Sequence, residues 1–151
     1  ALRGLDQTRP VFVEAESRRI GLITLPESLM SSLRGATMCV EVRVALDARV
    51  DLLMQEYGHL LARPEDFRTQ LLRLVPLHGR AVIDQWLTLL DEGRQRELSE
   101  VLITRHYDPA YSRSSRKMLQ GVRNALPFPF HPTAQDLGAQ ARALLTQCGM
   151  A

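Results

Sequence analysis

One lysine, two cysteines and an aromatic share of only 5% leave this chain of 151 residues poor in several side chains from which sites are commonly built. Cys39 lies in Thr37-Met38-Cys39-Val40-Glu41-Val42, a run of strand formers, and reads as a small core hydrophobe. Cys148 lies near the chain end with no Cys or His at ligand spacing, so neither a zinc site nor a disulfide can be argued. The single lysine, Lys117, has no glycine loop before it. No G-x-x-x-x-G-K-[ST] occurs anywhere, which excludes a phosphate-cradling loop of that kind within these residues. No apolar run approaches the roughly 20 residues that span a bilayer, and the first residues have no signal-peptide pattern, so a cytoplasmic protein without membrane contact is expected. A formal charge of +2 is too small to announce nucleic-acid binding, which would have to come from local clustering. The hydrophobic share of 45% is that of an ordinary globular chain.

What is present begins with Val11-Phe12-Val13, three strand formers placed directly before Glu14, Ala15, Glu16, Ser17, Arg18 and Arg19. A buried parallel strand that ends in acids, a hydroxyl and guanidinium groups opens onto the crevice where α/β sheets hold ligands. The spacing predicts a strand over 10–14, a helix over 26–33 with Pro26 opening it and Gly35 closing it, and a strand over 38–44. That order is a βαβ unit. From Asp47 on, Val50, Leu53, Met54 and Tyr57 line one helical side, with Gly58 as a stop. Further helices are predicted over 64–74, ended by Pro76, over 79–90, and over 94–107. Trp86 lies on the apolar stripe of its helix and reads as core. Residues 126–132 are too proline-rich for a central strand and fit an edge segment or a packing strap. The last predicted helix spans 133–147, with Thr133 as N-cap and Leu137, Ala141, Leu144 and Leu145 as its apolar face.

The most basic stretch holds Arg105, Arg113, Arg116, Lys117 and Arg123 against one acid, Asp108. Arginine offers a planar fork that matches phosphate oxygens in pairs, and Tyr107 and Tyr111 add stacking surfaces suited to an unpaired base. Asp108-Pro109 favours a turn that would project these groups from a helix end, since proline restricts the residue before it. His106 at that end suits a structural or substrate-positioning role.

Two stretches carry a family resemblance. Val13-Glu14-Ala15-Glu16-Ser17-Arg18-Arg19-Ile20-Gly21 with Leu25-Pro26, and His106-Tyr107-Asp108-Pro109-Ala110-Tyr111-Ser112-Arg113-Ser114, resemble in order the signatures of the bacterial tRNA 2-selenouridine synthases. Glu41-Val42-Arg43 and residues 46–57 resemble the family's intervening strand, turn and Arg-containing helix. A middle Asp of the first motif in many members is Ala15 here, which leaves Glu14 and Glu16 as the acids. The resemblance implies a partial P-loop NTPase-like α/β fold, a parallel sheet with a large helical portion. It makes residues 1–151 the C-terminal part of a P-loop domain, expected to be inactive and poorly soluble alone. The glycine loop and a cysteine-bearing rhodanese domain would lie outside it. It implies a transferase that converts wobble 2-thiouridine of tRNA to 2-selenouridine through an S-geranyl intermediate, with geranyl diphosphate and selenophosphate as cosubstrates. No cofactor is implied within these residues, and magnesium is the candidate ion for an acid at a strand end. The implied roles are catalytic for Glu14 and Glu16, phosphate-binding for Ser17, Arg18 and Arg19, and tRNA-binding for Arg105, His106, Tyr107, Tyr111, Arg113, Arg116 and Lys117. Two alternatives stand beside this: another P-loop kinase-like phosphotransferase with Arg43 or Arg49 in a phosphate-clamping lid, and a noncatalytic helical module that binds tRNA or protein.

Overall fold

A computed structural model describes residues 4, 6, 10–14, 18–61, 63–132 and 135–150. Its elements are β1 (Arg19–Ile20), β2 (Ile23–Thr24), α1 (Glu27–Arg34), β3 (Val40–Arg43), α2 (Leu46–Leu61), α3 (Pro64–Leu72), α4 (Val75–His78), α5 (Arg80–Asp91), α6 (Gln95–Leu102), a π-helical turn (Ile103–Tyr107), α7 (Asp108–Met118), a 3-10 turn (Gln120–Asn124), β4 (Leu126–Pro129) and α8 (Leu137–Gln147). The fold is α/β and mostly helical, with a small parallel two-stranded sheet, as befits part of a P-loop-like domain. Two compact units divide it: residues 1–40 with 112–126, and residues 41–111 with 127–151.

In the first unit β1 and β2 form a tight antiparallel hairpin, Arg19 opposite Thr24 and Ile20 opposite Ile23, around Gly21 at φ 60°. The strand expected over 10–14 does not form: the segment has no regular secondary structure, and Val11, Phe12 and Val13 are half-exposed. A β-branched run specifies which residues suit a strand, but a strand exists only where a neighbour supplies its ladder hydrogen bonds. The expected βαβ unit is therefore absent, and β3 takes a different partner. Leu126 N donates to Cys39 O at 2.9 Å and Phe130 N to Arg43 O at 2.8 Å, which aligns β4 parallel to β3. Pro127 and Pro129 alternate with these donors, so the N–H groups that proline lacks fall on the outer edge, where no ladder needs them. The proline-rich segment is thus an edge strand. Cys39 is half-buried, and its Sγ would lie 2.7 Å from a Cβ at Gly121, so a side chain there would displace the thiol.

The second unit holds the main core: Leu71 of α3, Ile83, Trp86, Leu87 and Leu90 of α5, and Leu98 of α6. The spacing of these residues puts one apolar stripe of each helix inward. Val50 of α2 is fully buried, while Tyr57 at the far end of the predicted stripe is 47% exposed. Gly58 does not stop α2, which runs on to Leu61. A glycine in a helix interior costs only about 1 kcal/mol, whereas Pro64 drives Arg63 out of the helical region to φ −118°, ψ 73° and ends the run. Likewise α3 stops at Leu72, and Pro76 occupies the first turn of the short α4 instead of terminating a longer helix. Gly79, at φ 83° and ψ 156°, then turns the chain into α5. The helix expected from residue 133 begins at Leu137, capped by Asp136, whose Oδ1 accepts from Ala139 N at 2.7 Å; Thr133 lies outside the described residues. Of its predicted apolar face, Leu144 and Leu145 are half-buried, while Leu137 and Ala141 are exposed.

The predicted turn at Asp108-Pro109 is replaced by continuous helix. Asp108 is helical at φ −60°, ψ −44°, and its N–H donates to Ile103 O, the long-range bond of a π turn. In an unbroken α-helix the Pro109 ring would strike the carbonyl of Arg105, and the wider π turn relieves that clash as α7 starts with proline in its first turn.

Candidate functional site

Glu14 ends the segment over 10–14 as an exposed carboxylate, and Glu16 and Ser17 lie outside the described residues. Arg18 enters the hairpin with its Nη1 3.2 Å from Glu27 Oε2, and the other oxygen of Glu27 accepts from Arg34 Nη1 at 2.7 Å. Arg34's hydrogen bond and charge, with a smaller effect from Arg18, hold the Glu27 carboxyl below its ordinary value. Arg19 Nε donates to Gly21 O at 3.1 Å, bracing the turn. Arg18 is thus engaged with α1 as well as placed in the loop, and Glu27, a first-turn acid that the sequence reading missed, is what engages it. Among the described residues no three His, Cys, Asp or Glu side chains converge as a metal site.

The basic stretch is open to solvent. Arg105 is exposed on the π turn, and Arg113, Arg116 and Lys117 are exposed on α7, where steps of three and four place them on one helical side. None of these four forms an ion pair among the described residues. Most other arginines do: Arg68 with Glu65 and Asp91, Arg94 with Glu92 and Glu97, Arg96 with Asp51. Tyr107 and Tyr111, one helical turn apart, stack with ring centroids 6.0 Å apart and planes at 14°. Both are exposed, at 54% and 42%.

Asp108, the one acid of the stretch, is gripped by Arg49 of α2 through Nη2–Oδ1 at 2.6 Å and Nη1–Oδ2 at 2.9 Å. Both arms of the Arg49 fork are thus engaged by Asp108. Arg43 is similarly held by Glu41 at 2.7 Å. A separation of 59 residues gave the sequence no signal for the Arg49–Asp108 pair.

His106 is half-buried, with Nδ1 3.0 Å from Nε2 of His78, whose ring centroid lies 4.9 Å from that of Trp86. This histidine is tied to the helical core, and His78 is another partner that the sequence left unseen. Arg105 also lines an open groove of about 340 Å³ with Gln85, Trp86, Thr88, Leu89, Arg94 and Val101. Neither Glu14 nor Arg18 lines it.

Among known proteins, the family model described as the tRNA 2-selenouridine synthase AAA domain matches residues 2–72. That span includes Glu14, the hairpin, α1, β3, α2 and α3. No curated protein and no solved structure matches the chain. The match carries a role in tRNA selenouridine synthesis, with tRNA as the substrate. Over residues 2–72 the chain is thus similar to the AAA domain of the tRNA 2-selenouridine synthases.

Proposed function

We propose that this chain forms part of an enzyme that converts wobble 2-thiouridine to 2-selenouridine through an S-geranyl intermediate, and that residues 105–117 hold the tRNA. The observation that carries the binding role is the exposed Arg105, with no carboxylate partner among the described residues, close in the chain to the stacked pair of Tyr107 and Tyr111. Such cations can displace counterions from phosphates, and an exposed aromatic face can receive an unpaired base. The chain is read as the C-terminal part of a P-loop domain that works with a glycine loop and a rhodanese cysteine outside residues 1–151. In the first chemical step the uridine sulfur attacks the geranyl carbon of geranyl diphosphate and diphosphate leaves. The selenium of selenophosphate then attacks C2, the sulfur leaves as geranylthiol, and water cleaves the Se–P bond to release phosphate and 2-selenouridine. Glu14 would orient a metal-bound diphosphate or polarise the leaving group, and Glu16, Ser17, Arg18 and Arg19 would shape the loop and contact phosphate, where positive charge placed at a departing anion lowers the barrier.

Two measurements test the reading. Anisotropy titrations of a labelled anticodon stem-loop should give an affinity that falls as salt rises. Arg116→Ala and Lys117→Ala should each lower the slope of log K against log [salt] by about 0.7 to 0.9. Tyr107→Ala or Tyr111→Ala should cost about 1–3 kcal/mol with the loop RNA and little with a fully paired duplex. Equal losses on both RNAs would remove the stacking role. In the intact enzyme, Glu14→Ala or Arg18→Ala that leaves geranyl transfer unchanged would remove the assignment of the acidic loop.

A further inference from the structure

An acid at position 108 is harmful to RNA binding. Asp108 lies where the π turn runs unbroken into α7. Left free, the same carboxylate would stand beside Tyr107 and one helical turn from Arg105, repelling phosphates and competing for that cation. The carboxylate is not free. Arg49 meets it fork to fork at 2.6 and 2.9 Å, with the two side chains 30% and 44% exposed. The hydrogen bond from Arg49 to Asp108 is the main cause of a raised Arg49 pKa, partly opposed by burial. A bidentate pair of this kind uses both carboxylate oxygens in one plane and leaves neither directed at the neighbouring cation.

We infer that Arg49 is a charge mask for the RNA-binding surface: by neutralising Asp108 it leaves Arg105, Tyr107 and Tyr111 in an uncompensated positive field, without touching RNA itself. This inference rests on the RNA-binding reading above. It makes Arg49 a positioning residue of an electrostatic kind, and it differs in sign from a merely structural brace. If the pair only braced the junction of the π turn and α7, every variant that breaks it would bind RNA more weakly. If it masks charge, removing the carboxylate must strengthen binding.

The test uses the whole 151-residue chain and a fluorescently labelled RNA stem-loop, titrated by anisotropy at low and high salt, with a thermal melt of each variant. At low salt Asp108→Asn should bind about threefold tighter, as expected for one charge removed some 7 Å from phosphate in water. Arg49→Ala should bind more weakly by a similar factor, and Arg49→Ala with Asp108→Asn should return close to the parent. These differences should shrink at high salt. Weaker binding by Asp108→Asn and by the double variant, in step with lowered melting temperatures, would overturn the mask. Parent binding that is lost in Arg105→Ala while Asp108→Asn is no tighter would overturn the mask and leave the RNA-binding reading standing. A parent chain that binds no RNA would overturn both.

Discussion

Gly79 shows how much a single residue decides. At φ 83° and ψ 156° it occupies a backbone region that only glycine enters readily, and it lets α4 turn directly into α5, the helix that carries Trp86. Gly79→Ala should lower stability by about 1–3 kcal/mol in denaturant melts even though nothing lies within 4 Å of the added carbon. Charge at single residues sets the response to acid. Glu27, beside Arg34, and Glu97, beside Arg94, both have carboxyls held below the ordinary value of 4.5. A depressed acid contributes stability that is present above its unfolded value and is lost as pH falls through its folded value. The melting temperature followed by circular dichroism should therefore hold between pH 7 and 5 and decline below 4.5, and Glu27→Gln should soften that decline. Both groups are fully exposed, so the effect is small and salt should reduce it.

At the scale of elements, proline placement explains more than proline count. Pro64 and Pro76 each sit in the first turn of a helix, Pro109 follows a π turn, and Pro127 and Pro129 face the open side of an edge strand. In every case the missing N–H is one that no ladder requires. The last helix depends on a cap instead. Asp136→Ala removes the acceptor of Ala139 N and should cost about 1 kcal/mol, read as a lower urea midpoint with an unchanged slope. Exchange protection lost only in residues 137–140 would show that the helix end frays while the core holds.

For the molecule as a whole, the core of the second unit gathers helices α3, α5 and α6, while in the first unit Met30 and Leu119 are buried and several other apolar residues remain in water. Val11, Phe12 and Val13 are each at least 50% exposed, and Leu22 at the hairpin tip is 95% exposed. Apolar residues contiguous along a half-exposed segment favour association between copies. Phe12→Ser with Val13→Thr should therefore reduce light scattering at high protein concentration, with stability kept within about 0.5 kcal/mol because little packing is lost. A parent chain that is monomeric at the same concentration would contradict this.

The sequence by itself determined the helices and their core. Apolar spacing through Val82, Ile83, Trp86, Leu89 and Leu90 predicts α5, because a helix repeats every 3.6 residues whatever surrounds it, and Ile83, Trp86 and Leu90 of that set are buried. The first of the two motifs lies within the family match over residues 2–72, and the second lies outside it. The count of one acid among the cations of residues 105–123 was equally visible. Tertiary structure decided what depends on partners far along the chain. β3 pairs with β4, 83 or more residues away, and not with the segment over 10–14, because a ladder forms only with the strand whose donors reach it. Arg49 was legible as a helical arginine, but its grip on Asp108 across 59 residues was not, and that contact turns a mixed-charge stretch into a positive one. Local periodicity is a property of neighbouring residues, whereas charge pairing and strand pairing are properties of what folding brings together.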